Sequence, residues 1–387
     1  MKAFQGVFVS PETAEVKEGH LVVEGGRIQG FERRPPLKAE VTRLEGFVVP
    51  GLIDAHVHLS FSGGPDPAAE LDAEPLATTV ARAVARLRAY LEAGITAVRD
   101  LGSRQGMAVG LAQAVERGYI VGPRVVAAGQ AITPTGGHGH RGGVEADGAL
   151  EVQKAARREF KAGARALKLM ATGGVMTPGV KAGAEMFDEA ELRAGALEAK
   201  KRGVPSAAHA QGLLGIKNAL RAGITTIEHG AFDAWDDEVL RLFRETGALL
   251  VPTLAAPAGI LEGEGRVPEF MVEKTRAIAE RHRENTRLAY RSGVKIAAGT
   301  DAGTPFNPHP NLARELWLLA EVGLSLPDVL RAATQHAAEA LGMSGELGTL
   351  APGSLADLVV LEANPLESAA AYARVRQVVQ GGEVVRA

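Results

Sequence analysis

One short signature recurs five times in this chain and limits its fold more than any other feature: a helical stretch, a single glycine, then an apolar run. It appears as EAGITAV, KAGARALKLM, KRGVPSAAH, RAGITTIEH and RSGVKIAAG. A helix commonly ends on a left-handed residue, a conformation that glycine adopts without a Cβ clash. Gly94, Gly163, Gly203, Gly223 and Gly293 therefore mark helix-to-strand junctions. Apolar runs predict strands near 51–58, 95–100, 124–131, 165–171, 205–210, 224–229, 248–253 and 294–300, with helical sequence between most of them. Eight such units are the count of an α/β (β/α)8 TIM barrel, and a doubly wound open sheet is the structural alternative.

The flanks read differently. Residues 1–50 alternate and turn like strands, with Gly25 and Gly26 at a tight turn, and 343–387 return to β-like sequence. The expectation is a small discontinuous β-sandwich domain built from both of these segments, beside a barrel over 51–342. At 387 residues, with 46% hydrophobic and 23% charged side chains, the chain has ample interior to bury. A net charge of −3 offers no basic field for nucleic acid, and no run approaches a membrane span. A cytoplasmic protein without nucleic-acid or membrane partners is expected. There is no cysteine, so a metal site must use imidazoles, carboxylates or less usual ligands.

In a barrel of parallel strands the active site lies at the carboxyl ends. The first predicted strand ends in DAHVHL, where residues two apart face the same way and His56 and His58 point together. The fourth carries Lys168 in LKLMATGG, the fifth ends in His209 of AAHA, the sixth in His229 of IEHG and the eighth in Asp301 of GTDAGTP. Taken singly, a strand-end histidine is often a core residue, a lysine a surface charge and an aspartate a helix cap. Four strands supplying four histidines and an aspartate at one end read jointly as a metal site. Glycine-rich GGHGH and ATGGVMTPG lack the spacing of a phosphate loop, and no Gly-x-Ser-x-Gly elbow is present.

This ordered set resembles the amidohydrolase superfamily along essentially the whole chain, and most of all its imidazolonepropionase-like branch with Xaa-Pro dipeptidase-like enzymes and carboxypeptidases. ITPTGGHGH and LGTLAPGSLADLVVLEANP also resemble that branch. The resemblance implies two divalent metal ions, commonly zinc. His56, His58 and Asp301 would hold one, His209 and His229 the other, and Lys168 would bridge them as a carbamate formed with carbon dioxide. The plainer reading keeps Lys168 as an amine beside a single ion. The implied chemistry is hydrolysis of an amide by hydroxide held between the ions, with Asp301 accepting its proton and delivering it to the leaving nitrogen.

His138 and His140, with Arg141, sit in the glycine-rich loop after the third strand. They are expected to bind a substrate carboxylate or steady the tetrahedral oxyanion, the plainer alternative being an exposed loop with incidental imidazoles. Gln211 falls on the face of His209 and is expected at the pocket wall or at the start of the next helix, whereas His20, His282 and His336 carry no site signal. The expected substrate is a small molecule, a dipeptide or N-acyl amino acid. A cyclic amide such as an imidazolone or lactam is the alternative, and a non-catalytic scaffold the third reading. A homo-oligomer is expected.

Overall fold

The computed structural model describes residues 1–386. All five junction glycines adopt positive φ, from +66° at Gly203 to +109° at Gly163. Local signals at the other helix ends agree. The helix Glu189–Arg202 starts at a reciprocal cap in which the Asp188 carboxylate accepts from Glu191 N–H and the Glu191 carboxylate accepts from Asp188 N–H.

Sixteen strands follow in chain order. The first four are β1 (Lys2–Val9), β2 (Val16–Glu24), β3 (Arg27–Glu32) and β4 (Glu40–Pro50). Next come β5 (Leu52–Val57), β6 (Ile95–Asp100), β7 (Arg124–Ala127), β8 (Ile132–Thr133) and β9 (Val144–Glu145). Then come β10 (Leu167–Met170), β11 (Ser206–Ala210), β12 (Thr226–His229) and β13 (Leu249–Val251). The last are β14 (Leu358–Leu361), β15 (Val375–Gln380) and β16 (Glu383–Arg386).

The central strands form two parallel sheets, β5-β6-β7 and β13-β12-β11-β10-β8-β9, with helices between most successive strands but none from β7 to β9. Segment 294–302 lies between the two sheets, bridging Leu250 to Ile296 and Val57 to Ala302 in parallel. On the other flank Arg165 N–H donates to Ala127 O at 2.8 Å. These contacts link the two sheets, and residues at the carboxyl ends of β5, β10, β11 and β12 line one cavity. Register then places the chemistry: Met170 pairs with His209 and Ala210 with His229.

Two expected strands differ from the structure. The run 294–300 is no continuous strand, because it approaches its neighbours too closely for a regular ladder. A Cβ on Gly299 would lie 2.6 Å from Val251 Cγ1 and 2.9 Å from His56 N, and Asp301 just beyond turns to φ +57°. The run 124–131 stops at Ala127, and Gly129 at φ +75° turns the chain away before β8. The terminal segments do join, in a single mixed sheet of order β16-β15-β14-β4-β1-β2-β3. Its core gathers Phe4, Phe8, Ile28, Val48, Leu358 and Val360.

Candidate metal centre and active site

His56 and His58 leave β5 facing Asp301, which follows the bridging segment. The His56 Nδ1 lies 2.8 Å from Glu228 Oε2, and a carboxylate only accepts, so Nδ1 carries the proton. The His58 Nδ1 likewise faces the Gly102 carbonyl at 2.9 Å. Both Nε2 atoms are thereby turned to Asp301 Oδ1, at 3.4 Å and 3.2 Å. Among the described residues these three form the group of imidazoles and carboxylates whose ligand atoms lie within 4.8 Å of one another.

The electrostatics of this group are those of a cation site. Burial works to lower the His58 imidazole, but the Asp301 carboxylate beside it outweighs that and holds it raised. Burial would raise Asp301, and the imidazoles of His56 and His58 instead hold it well below the carboxylate range. His56 is kept neutral by burial and by the Lys168 ammonium. The two Nε2 atoms and the ionised carboxylate converge on one point, and with His58 deprotonated by a competing cation they fit a divalent ion such as zinc.

The Glu228 carboxylate is itself fixed. Arg99, fully buried, donates from Nη2 to Glu228 Oε1 at 3.0 Å, and its other nitrogens reach Ala55 O, Ala340 O and Thr226 Oγ1. Asp54, also fully buried, accepts from Thr300 N–H and Oγ1–H and so anchors the residue preceding Asp301.

Lys168, His209 and His229 lie beside that group. The Thr253 hydroxyl donates to Pro252 O at 2.6 Å, so it accepts from His229 Nδ1–H at 2.7 Å and leaves Nε2 bare. His209 Nε2 faces Gly173 O at 3.3 Å, leaving Nδ1 available. The ring centroids of His209 and His229 are 4.6 Å apart, and those of His229 and His56 5.2 Å. Burial pushes the Lys168 amine down to about 8, against the opposing pull of Glu228 and Asp301. A buried amine near neutrality is the form that adds carbon dioxide, so the residue fits a carbamate bridge.

The glycine-rich loop forms one wall. His138 lies with its ring centroid 4.4 Å from that of His209, and burial together with Lys168 lowers it to about 3. Thr177 Oγ1 accepts from Gly139 N–H at 3.3 Å and lies 2.8 Å from His138 Nδ1. The hydroxyl proton finds its acceptor there, which makes Nδ1 the bare nitrogen and Nε2–H the donor of a neutral imidazole. His140 faces the cavity with Nδ1 tied to Gly137 O at 2.9 Å, and Arg141 pairs with Asp72 at 3.4 Å. Gln211, 5% exposed, reaches the same cavity wall.

The cavity thus brings together His58, His138, His140, Arg141 and Lys168 with His209, Gln211, His229 and Asp301, while His56 sits directly beneath them. Sequence reasoning missed Arg99, Glu228 and the contact of Thr177 with His138. A signal existed for the first two: each is a charge inside an apolar strand run, TAVRD and TTIEH. His282, given no role from sequence, is buried at the cavity wall and donates from Nε2 to Pro252 O at 2.7 Å. His309 bonds instead to the Tyr90 hydroxyl at 2.6 Å.

A parallel α/β fold with a histidine-rich, carboxyl-end cavity defines a class of metal-assisted hydrolases. The amidohydrolase family model matches residues 47–385, and the chain belongs to that family. It is 34% identical to ochratoxinase of Aspergillus niger over 353 residues, covering 83% of this chain and 71% of that protein. A solved Xaa-Pro dipeptidase with bound methionine in the active site superposes with a TM-score of 0.91 at 28% identity, over 100% of both chains. A prolidase complexed with N-methylphosphonate-L-proline gives a TM-score of 0.92 at 33% identity, over 100% of this chain and 99% of that one. The protein is a hydrolase of amide bonds acting on a small molecule.

Proposed function

We propose that the chain hydrolyses the amide of a dipeptide or N-acyl amino acid with two divalent ions, zinc in the first instance. His56, His58 and Asp301 would hold one ion, His209 and His229 the other, and Lys168 would bridge them as its carbamate. The single observation that carries the reading is the convergence of bare imidazole nitrogens on the ionised Asp301, each imidazole locked in one tautomer by a partner behind it. Bound ions would polarise the scissile carbonyl and acidify water.

The chain's own groups do the rest. Asp301 takes the proton of the attacking water and hands it to the leaving nitrogen, since an amide anion is too basic to depart. His138 donates from Nε2–H to the carbonyl oxygen as charge develops on it. Arg141 and His140 face the substrate carboxylate from the glycine-rich loop. We read the two parallel sheets with segment 294–302 as a closed (β/α)8 barrel over 51–342. Residues 1–50 and 343–387 would be a sandwich-like β domain folded over their shared core. A cytoplasmic homo-oligomer completes the proposal; no helix among the described residues is long and apolar enough to cross a membrane.

The test is amino-acid release from a panel of dipeptides and N-acyl amino acids by protein loaded with zinc in bicarbonate, with metal content measured alongside. Release is expected. Two bound ions with no release from any linear substrate, and ring opening of cyclic amides instead, would overturn it.

A further inference from the structure

The cavity has two unlike walls. The loops after β5, β6 and β8 line the first with charged groups and an imidazole: Arg104, His140 and Arg141, beside Asp66 and Asp72. The loop after β10 and the two helices after β13, Ala255–Glu262 and Glu269–Arg291, supply Met176, Ile260, Phe270, Met271 and Ile278. Ile260, Met271, Met176 and Phe270 belong to a small apolar cluster separate from the main core.

The two cations near this second wall are engaged elsewhere. Lys274 Nζ donates to Thr177 O and Val180 O, both at 2.7 Å, and stands 5.3 Å from the Phe270 ring centroid. The Arg266 guanidinium is stacked 4.2 Å from the Phe306 ring centroid. An anionic or cationic side chain lodged here would lose its hydration and find no partner, whereas an apolar one would lose only its contact with water.

Resting on the amidase reading, we propose that this wall is the acyl-side subsite. The substrate class is then an N-acyl amino acid or dipeptide whose acyl side ends in a bulky aliphatic or aromatic group. Its carboxylate lies at the opposite, basic wall, and the scissile amide spans the floor between His58 and His229. The enzyme sorts substrates chiefly by the size and apolarity of the acyl group, because an uncharged wall discriminates by area buried.

Binding is measured separately from chemistry with sulfonamides, which this reaction does not cleave. Methanesulfonyl-, butanesulfonyl-, benzenesulfonyl- and carboxymethanesulfonyl-alanine are titrated calorimetrically into the zinc-loaded protein, and the matching N-acylalanines are assayed for turnover. The benzene compound is expected to bind at least about tenfold more tightly than the methane compound, with the carboxymethane compound weakest. In Phe270→Ala that ratio is expected to shrink several-fold, and in Met176→Asp to shrink further. Equal affinities, or tightest binding of the carboxymethane compound, would overturn the subsite. A graded binding series without turnover of any N-acylalanine would instead leave the subsite standing and remove the amidase reading.

Discussion

The two halves of the proposed metal centre are built to different standards. His56, His58 and Asp301 are gathered within 4.8 Å of one another, and each imidazole is locked by a hydrogen bond from behind. In the proposed second half His229 is locked as firmly, by Thr253 at 2.7 Å, but His209 is tied only by a long contact of 3.3 Å, and Lys168 would need carboxylation to serve as a ligand. The difference teaches that preorganisation here is a property of hydrogen-bonded support and not of burial. Burial does not favour the first half: Asp301 is 9% exposed, against 1% at Lys168 and 5% at His209. On the proposed reading the first half is ready for an ion on folding, and the second would be completed by a reaction.

Five measurements would break or sharpen that contrast. The largest effect is expected at Asp301, which joins the first half to the proton path: Asp301→Asn lowers turnover by about 1,000-fold or more, read as kcat in zinc-loaded protein. Near-normal kcat would remove it from the proton path. Glu228→Gln comes next, because the carboxylate behind His56 raises its basicity and holds its ring. Affinity for the first ion is expected to fall about 10- to 100-fold, measured by competition with a chromophoric chelator.

Lys168→Ala is expected to reduce zinc content from two ions to one per chain while leaving first-ion affinity within a few-fold of the parent. Loss of both ions together would show that the halves are not separable. Carboxylation of stripped protein should quicken as pH rises from 6 through about 8 at fixed dissolved carbon dioxide, because burial sets the Lys168 amine near that value and only the neutral amine attacks. The sign is clear: a lowered amine pKa frees the nucleophile at lower pH than an exposed lysine would allow. The smallest effect is expected at Thr177. Thr177→Val removes the hydroxyl that sets the His138 tautomer and should reduce kcat by about tenfold, or ~1.4 kcal/mol, with KM little changed. Thr177→Ser should restore it.

The contrast also marks how far the sequence could be read. The glycines at 94, 163, 203, 223 and 293 announced their junctions because positive φ is a local property that glycine alone meets cheaply. His56, His58, His209, His229 and Asp301 were legible because strand ends are predictable from apolar runs. The 294–300 run was misread as a strand because Ala-Ala-Gly looks like any small apolar stretch; the crowding against Val251 and His56 is a tertiary fact. The contact of Thr177 with His138 was hidden for the same reason. Its role depends on two loops meeting across 38 positions, and neither loop has a periodic pattern to betray the contact.

The seven-stranded terminal sheet has a consequence for biosynthesis. Strand β4 lies between β1 and β14, with Val48 paired to Phe8 on one side and to Val360 on the other. A growing chain therefore carries β4 with one hydrogen-bonding edge open while the roughly three hundred residues of the central domain are made, at about 5–20 residues per second. An open edge is a template for pairing with other chains. The ribosome-bound protein thus passes through an interval of vulnerability that ends when β14 docks, and holding that edge apart is a natural task for a chaperone.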